Sequence, residues 1–207
     1  MISRKNIGLI ALATPFWFLT IYLIMSSRRP EYSHLTKAIS ELGSLDAPNR
    51  WFWNILGYIL PGLAIALLGV GLNRDFALAG RRASIPSYAL VTSGLFMMMS
   101  GVFPGDFENR TSTSMILHTV GSLGSFAAFL VAGFWLPKVF RSRESWRWVA
   151  VPSVALVVAS IATGFLRSGA APGLGQRLGF ACVFVWIGLV GYALIRSNST
   201  ESDQQPI

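Results

Sequence analysis

Six apolar stretches, each about 20 residues long, constrain this chain more than any other feature of its sequence. They cover residues 7–25, 52–72, 85–103, 113–136, 148–166 and 178–195. An α-helix needs about 20 apolar residues to cross the hydrocarbon core of a bilayer. The stretches also lack the polar face that a helix on a soluble domain would carry. The sequence therefore predicts an all-α integral membrane bundle of six transmembrane helices.

The composition agrees with this prediction. Of the 207 residues, 53% are hydrophobic and 13% are charged, whereas a typical soluble domain has about 25% charged residues. The spans and their short connections use residues 1–196, so we expect a single transmembrane domain. Residues 197–207 are polar, and we expect a disordered tail there.

The net charge of +8 comes from basic residues scattered among the connections between spans. This distribution argues against a nucleic-acid partner, and it is typical of charges that set orientation and meet anionic lipid. Ten of the 17 Lys and Arg residues lie on the side of the N-terminus, called proximal below, and seven lie on the opposite, distal side. The positive-inside rule then predicts an inner-membrane protein with both termini in the cytoplasm. Membrane lipids are the expected partners, and a protein partner or a homo-oligomer stays open.

The first distal connection contains a helical pattern. Its apolar residues recur three or four positions apart, and its polar residues fall on the other face: Tyr32, Leu35, Ile39 and Leu42 against His34, Lys37 and Glu41. The pattern predicts a short amphipathic helix that ends at Gly43. It is either a lid that presents Glu41 and His34 to a cavity or a connector at the membrane interface.

His118 lies inside the fourth apolar stretch. Ionisable residues within spans are costly and normally face the bundle. Asp106 follows a Pro-Gly turn just ahead of the same helix, and a nearby carboxylate would raise the basicity of the imidazole and fix its tautomer. The alternative is an imidazole bonded to a neighbouring serine for packing, with Asp106 as a turn cap.

Arg167 and Arg177 flank the last distal connection, and Gln176 stands beside the second of them. The two arginines could bind a lipid phosphate or pair with Asp106 and Glu41. The alternative is that their heads extend to the interface. We expect Arg177 to be partly buried and paired with a distal acid.

Serine and glycine stripes mark spans three, four and five: Ser93, Ser100 and Gly101; Ser114, Gly121, Ser122 and Ser125; Ser153, Ser160 and Gly164. Close packing of helices in lipid explains such stripes. A hydrophilic cavity lining is the alternative.

No metal site and no cofactor are expected. The two histidines, with carboxylates, could hold a divalent ion, but no His-x-x-x-His spacing supports one. Cys182 is the single cysteine, so no intramolecular disulfide or thiolate metal site can form. No nucleophile elbow, phosphate-binding loop or dinucleotide fingerprint occurs.

The ordered motifs of the chain resemble a known family. Ile39-Ser-Glu-Leu-Gly43, Pro48, Phe103-Pro-Gly-Asp106, His118 and Gly175-Gln-Arg177 follow one another along the sequence. This series resembles the bacterial membrane proteins catalogued as domain of unknown function 998. The resemblance implies about six helices and no assigned activity, and Glu41, Asp106, His118 and Arg177 match its pattern. More weakly, the first distal connection and the histidine are similar to the Frag1/DRAM-like six-span proteins of eukaryotes, some of which are linked to lipid-anchor remodelling.

The leading hypothesis is a protein that binds or handles a lipid or lipid-linked molecule at a distal polar site. The candidate ligand-binding residues are Arg177, Gln176, Arg167 and His34. A second hypothesis is a membrane-embedded enzyme in which His118 acts as acid or base with Asp106 or Glu41. A proton-coupled transporter using His118 and a structural membrane subunit are the remaining alternatives.

Overall fold

Six helices long and apolar enough to cross a membrane make up most of the described chain. The computed structural model describes residues 2–167, 169 and 171–202, except for the side chains of residue 167 and residues 198–202. The helices are α1 (Arg4–Ser27), α2 (Arg50–Asp75), α3 (Arg81–Val102), α4 (Thr113–Phe140), α5 (Arg147–Arg167) and α6 (Pro172–Ser202). No strand occurs among the described residues. The predicted all-α membrane bundle is confirmed.

The helices extend the predicted spans by a few residues at most ends. The exception is α6, which begins at Pro172, ahead of the predicted start at residue 178, and continues to Ser202. The rest of the predicted polar tail, residues 203–207, lies outside the described residues.

The helices close into a ring in chain order. Packing is most extensive for α2 with α3, α3 with α4, α1 with α6 and α5 with α6, and it is thinner between α4 and α5. Glycines allow the closest approaches. A Cβ on Gly62 would lie 2.7 Å from the carbonyl oxygen of Gly94, and one on Gly8 would lie 2.8 Å from that of Gly191. Small residues at such crossings are what helix packing in lipid requires.

The first distal connection, residues 28–49, contains less helix than predicted. Only Ile39–Gly43 is helical, as a 3-10 helix of five residues, and the residues before it form turns. An α-helix would need the Leu35 carbonyl to accept from the Ile39 amide. Here the Leu35 carbonyl accepts from the amide of Gly173 (2.8 Å), and the Ile39 amide donates to Gln176 Oε1 (2.5 Å). Contacts with α6 thus replace the helical hydrogen bonds, and Leu35 is left 56% exposed.

Candidate functional site

Arg177, in the second turn of α6, holds the first distal connection against the bundle. Its Nε donates to the hydroxyl of Tyr22 (2.6 Å), and Nη2 donates to that of Tyr32 (2.6 Å). Its Nη1 donates to the carbonyls of Lys37 (2.9 Å) and Gly173 (2.6 Å). The two tyrosine rings lie 5.4 and 5.2 Å from the guanidinium carbon, within the range of cation–π attraction. Four of the five N–H groups of the guanidinium are therefore used in hydrogen bonds within the protein.

The two tyrosine hydroxyls extend this network into the connection. Tyr32 donates to the carbonyl of Ala38 (2.9 Å), and the hydroxyl of Tyr22 is hydrogen-bonded to Nδ1 of His34. The Tyr22 hydroxyl therefore accepts from Arg177 and is also bonded to His34, so it links α6 to the first distal connection. Burial raises the pKa of the Tyr32 phenol above its ordinary value of 10.0, which keeps the hydroxyl protonated at neutral pH.

The predicted pairing of Arg177 with a distal acid is wrong. Among the described residues, no carboxylate lies within ion-pair distance of its guanidinium. Glu41 instead accepts from the Ala38 amide (2.7 Å) and pairs with Lys37 Nζ (2.9 Å). It therefore caps its own 3-10 helix instead of pairing with Arg177.

Three of the four predicted ligand-binding residues do meet at the distal face. Arg177 and His34 share the hydroxyl of Tyr22, and Gln176 contacts the same connection through the amide of Ile39. The side chain of Arg167, the fourth of them, lies outside the described residues.

His118 is buried in α4, with 4% of its surface exposed. Its Nδ1 lies 2.9 Å from the carbonyl oxygen of Ser100 and 2.9 Å from that of Phe103. A carbonyl can only accept, so Nδ1 carries the ring proton. The ring of Tyr58 packs edge-on against the imidazole, with the centroids 5.8 Å apart. These contacts tie α4 to the end of α3 and correspond to the packing alternative.

The structure does not bring the three candidate catalytic residues together. Asp106 Oδ1 accepts from the amide of Asn109 (2.9 Å), which makes the carboxylate a cap of its own turn. Among the described residues, no hydrogen bond or ion pair joins His118 to Asp106 or Glu41.

Comparison with known proteins places the chain in a family. The family model described as a protein of unknown function, DUF998, matches residues 12–193. The chain belongs to the DUF998 family. The match reaches all six helices and confirms the resemblance expected from the ordered motifs. No curated protein and no solved structure matches the chain, so the similarity to the Frag1/DRAM-like proteins stays an expectation.

The DUF998 chain has an apolar groove between α1 and α6 that sequence reasoning missed. The groove has a volume of about 630 Å³ and is lined by apolar side chains of both helices, and Tyr22 and Arg177 stand at its distal end. Gly188 lies against Pro15, where a Cβ would come within 3.1 Å of the proline ring, so small residues form its floor. No spacing in the sequence indicates that the first helix packs against the last.

A second cavity of about 280 Å³ lies inside the bundle of this DUF998 protein. Its lining includes six serine and threonine side chains: Ser93, Ser100, Ser122, Ser125, Ser160 and Thr163. Packing and cavity lining were alternative explanations for the serine stripes, and the structure combines them. The serines bridge the helices and also border a cavity.

A buried acid on the proximal face was also missed. The Asp75 side chain, at the end of α2, is 1% exposed and forms ion pairs with Arg4 and with Arg143 (2.9 Å). Arg143 also donates to the backbone carbonyl of Asp75 (2.9 Å), and its guanidinium lies 4.7 Å from the centre of the Phe76 ring. This cluster, called the proximal lock below, joins the start of α1, the end of α2 and the connection between α4 and α5.

The part of the DUF998 chain that the structure describes contains no candidate metal-binding site. No three His, Cys, Asp or Glu side chains are grouped there as ligands. His34 lies in the first distal connection, whereas His118 lies on α4 with its ring bonded to α3. The two imidazoles therefore have different neighbours.

Proposed function

We propose that this DUF998 protein binds an anionic phospholipid, with an acyl chain in the groove between α1 and α6 and the phosphate at Arg177. The observation that carries the proposal is the placement of a charged guanidinium at the distal end of an apolar groove. With ten of the 17 basic residues on the proximal side, the proposal places this lipid in the outer leaflet of the inner membrane.

The groove suits an acyl chain because its walls are apolar and open to the bilayer. Phe16, Leu19 and Val185 line it and are 69%, 53% and 51% exposed. Dispersion contacts with a chain lying along the helices would replace contacts with disordered lipid. The part of the groove beside Gly188 and Pro15 gives the acyl chain a defined place.

The charge of Arg177 suits the phosphate. Two other basic side chains of the first distal connection are paired with acids, Lys37 with Glu41 (2.9 Å) and Arg29 with Glu31 (2.6 Å). The hydrogen bonds of Arg177 go to neutral oxygens, so its charge is not neutralised by any described carboxylate. The fifth N–H group of its guanidinium is left for a lipid phosphate, and hydrogen bonds between charged groups are the stronger kind.

The test compares lipids retained by purified protein from nanodiscs that hold equal amounts of phosphatidylglycerol and phosphatidylethanolamine. Native mass spectrometry of the wild-type protein should show an excess of bound phosphatidylglycerol. Arg177→Gln should reduce that excess at least about tenfold, because a hydrogen bond to a charged group contributes about 1.5–3 kcal/mol. Arg110→Gln removes the same charge from an exposed distal site and should change nothing.

A groove-filling variant separates lipid binding from the structural role of Arg177. Ala181 lines the groove and is exposed, so Ala181→Trp should block the acyl chain while the arginine network stays intact. Val120→Trp, on a 46% exposed position of α4, is the matched control. If both Arg177→Gln and Ala181→Trp retain phosphatidylglycerol as the wild type does, the proposal is wrong.

The enzyme hypothesis has less geometric support than lipid binding. His118, Asp106 and Glu41 each make local hydrogen bonds, and no contact unites them as an acid–base pair. Loss of a lipid or envelope product in a strain that carries His118→Ala at normal protein level would favour it over the binding proposal. A transporter would need solute flux in proteoliposomes.

A further inference from the structure

The cavity inside the bundle opens sideways between α4 and α5. Near the proximal end of α4 the two helices touch, since a Cβ on Gly133 would lie 2.5 Å from Val157. Closer to the distal face they separate, and the cavity lies between them. Leu123 and Ile161, which line it, are 63% and 42% exposed. A molecule would therefore enter this cavity from the bilayer.

The two cavity-lining serines of α3 donate their hydroxyl protons to backbone carbonyls of α4. Ser93 Oγ donates to the Ser125 carbonyl (2.9 Å), and Ser100 Oγ donates to the His118 carbonyl (3.2 Å). The hydroxyls of Ser125 and Ser122 lie 3.3 and 3.1 Å from those of Ser93 and Ser100 and therefore act as the donors. As a result, the oxygens of Ser122 and Ser125 keep lone pairs for a ligand.

The walls from α5 and α6 complete this arrangement. Thr163 donates to the carbonyl of Ser160 (2.7 Å), and Ser160 donates to that of Val157 (2.7 Å), so both hydroxyl oxygens remain acceptors. Gln176 has its Oε1 occupied by the Ile39 amide, which leaves its side-chain NH₂ group as a donor. The cavity thus offers four acceptor oxygens, those of Ser122, Ser125, Ser160 and Thr163, and one amide donor.

We propose that this cavity binds a neutral amphiphile that carries a hydroxyl group, such as a long-chain alcohol. A hydroxyl both donates and accepts, which matches serine and threonine oxygens beside an amide donor. None of the charged side chains in the described chain lines the cavity. A carboxylate or an ammonium would therefore be desolvated without a counter-charge.

The apolar part of the ligand has its own surface. Phe126, Phe180 and Phe184 line the cavity with other apolar side chains. A volume of about 280 Å³ lies near the lower end of the range for small-molecule sites. A single medium-length chain fits this size, whereas the groove between α1 and α6 holds the phospholipid of the preceding proposal. The two sites share Phe180 and Phe184 in their linings, but their polar groups differ, Arg177 for the groove and the serine and threonine oxygens for the cavity, so each proposal can fail without the other.

The experiment uses three photoreactive probes in nanodiscs: a twelve-carbon alcohol with a diazirine near its end, the matching alkane and the matching carboxylic acid. After irradiation, mass spectrometry identifies the labelled residues. The alcohol should label residues that line the cavity on α4, α5 and α6 at least fivefold more than the alkane or the acid does. Equal labelling of the cavity by alcohol and alkane in the wild-type protein would overturn the proposal, whatever the variants show.

Two variants test the hydroxyl match directly. The double variant Ser125→Ala with Thr163→Val removes two of these acceptors with little change in volume and should lower the excess of alcohol labelling over alkane labelling. Ser153→Ala is the matched control, because Ser153 is a fully buried serine on α5 that does not line the cavity. An alcohol preference that is as large in the double variant as in the wild type would also overturn the proposal. Unchanged phosphatidylglycerol retention in that variant separates this result from the groove.

Discussion

Replacing Asp75 with asparagine tests whether the proximal lock stabilises the bundle. Removing one partner from a buried ion pair costs about 3–5 kcal/mol. The side chains of Arg4 and Arg143 are 32% and 30% exposed, so water can reach both guanidinium groups after the substitution. Asparagine also keeps one acceptor oxygen. We therefore expect Asp75→Asn to lower the free energy of unfolding by about 2–3 kcal/mol, roughly 30- to 160-fold in the equilibrium constant.

The assay is reversible unfolding in mixed detergent micelles, followed by far-UV circular dichroism and tryptophan fluorescence. Trp146 is fully buried and packs on Phe76, with the ring centroids 5.0 Å apart, so fluorescence includes a signal from beside the lock. Glu144→Gln is the matched control, because it makes the same charge change at an exposed proximal site. It should change the free energy of unfolding by less than about 0.5 kcal/mol.

A double-variant cycle with Arg143→Gln isolates the interaction with Asp75. Arg143→Gln should be costly in the wild-type background and much less costly beside Asp75→Asn, because the ion pair is already absent there. If Asp75→Asn falls within about 0.5 kcal/mol of Glu144→Gln, the carboxylate is not a stabilising centre and the reasoning is refuted.

Three further predictions concern the distal network and the buried histidine. Tyr22→Phe removes the hydroxyl between Arg177 and His34, so hydrogen exchange in residues 28–43 should rise; unchanged exchange would contradict the view that this network holds the first distal connection. Burial raises the pKa of Tyr32 in the folded protein, so above its ordinary pKa of 10.0 the unfolded chain loses that proton more readily and stability falls as pH rises. Tyr32→Phe should weaken this alkaline loss relative to the wild type, and an identical pH profile would count against it. His118→Asn can keep the donor at the Nδ1 position and should unfold closer to the wild type than His118→Ala does; equal losses would refute the role assigned to that nitrogen.

The sequence predicts the six helices well because a span is a local property. Twenty consecutive apolar residues specify a membrane helix whatever their neighbours are. The first distal connection shows where such reasoning fails. Tyr32, Leu35 and Ile39 have helical spacing, yet the Leu35 carbonyl bonds to α6 instead of closing a helical turn. A pattern within one segment cannot show that a distant segment will take its hydrogen bonds.

The sequence predicts which residues belong to the candidate site better than it predicts which residues they contact. Arg177 is at the centre of the distal network, but its partners are Tyr22 and Tyr32 instead of an acid. Opposite charges are the obvious partners in a sequence, whereas tyrosine hydroxyls resemble ordinary apolar or interfacial residues. Asp106 and His118 are close along the chain, but Asp106 caps the turn before α4 and the His118 ring bonds into α3. Closeness along the chain therefore did not predict a contact between these two side chains.

The distribution of polar contacts indicates where this bundle can accept a ligand. Arg177 ties the distal end of α6 to the first connection, and Asp75 ties together three proximal segments. Both ends are therefore held by side chains from several elements, and opening either end would break several hydrogen bonds at once. The groove and the cavity instead face the bilayer, beside Ala181 and Leu123. In both proposals a ligand enters sideways and leaves both polar ends intact, which favours lipid-soluble molecules over solutes from water.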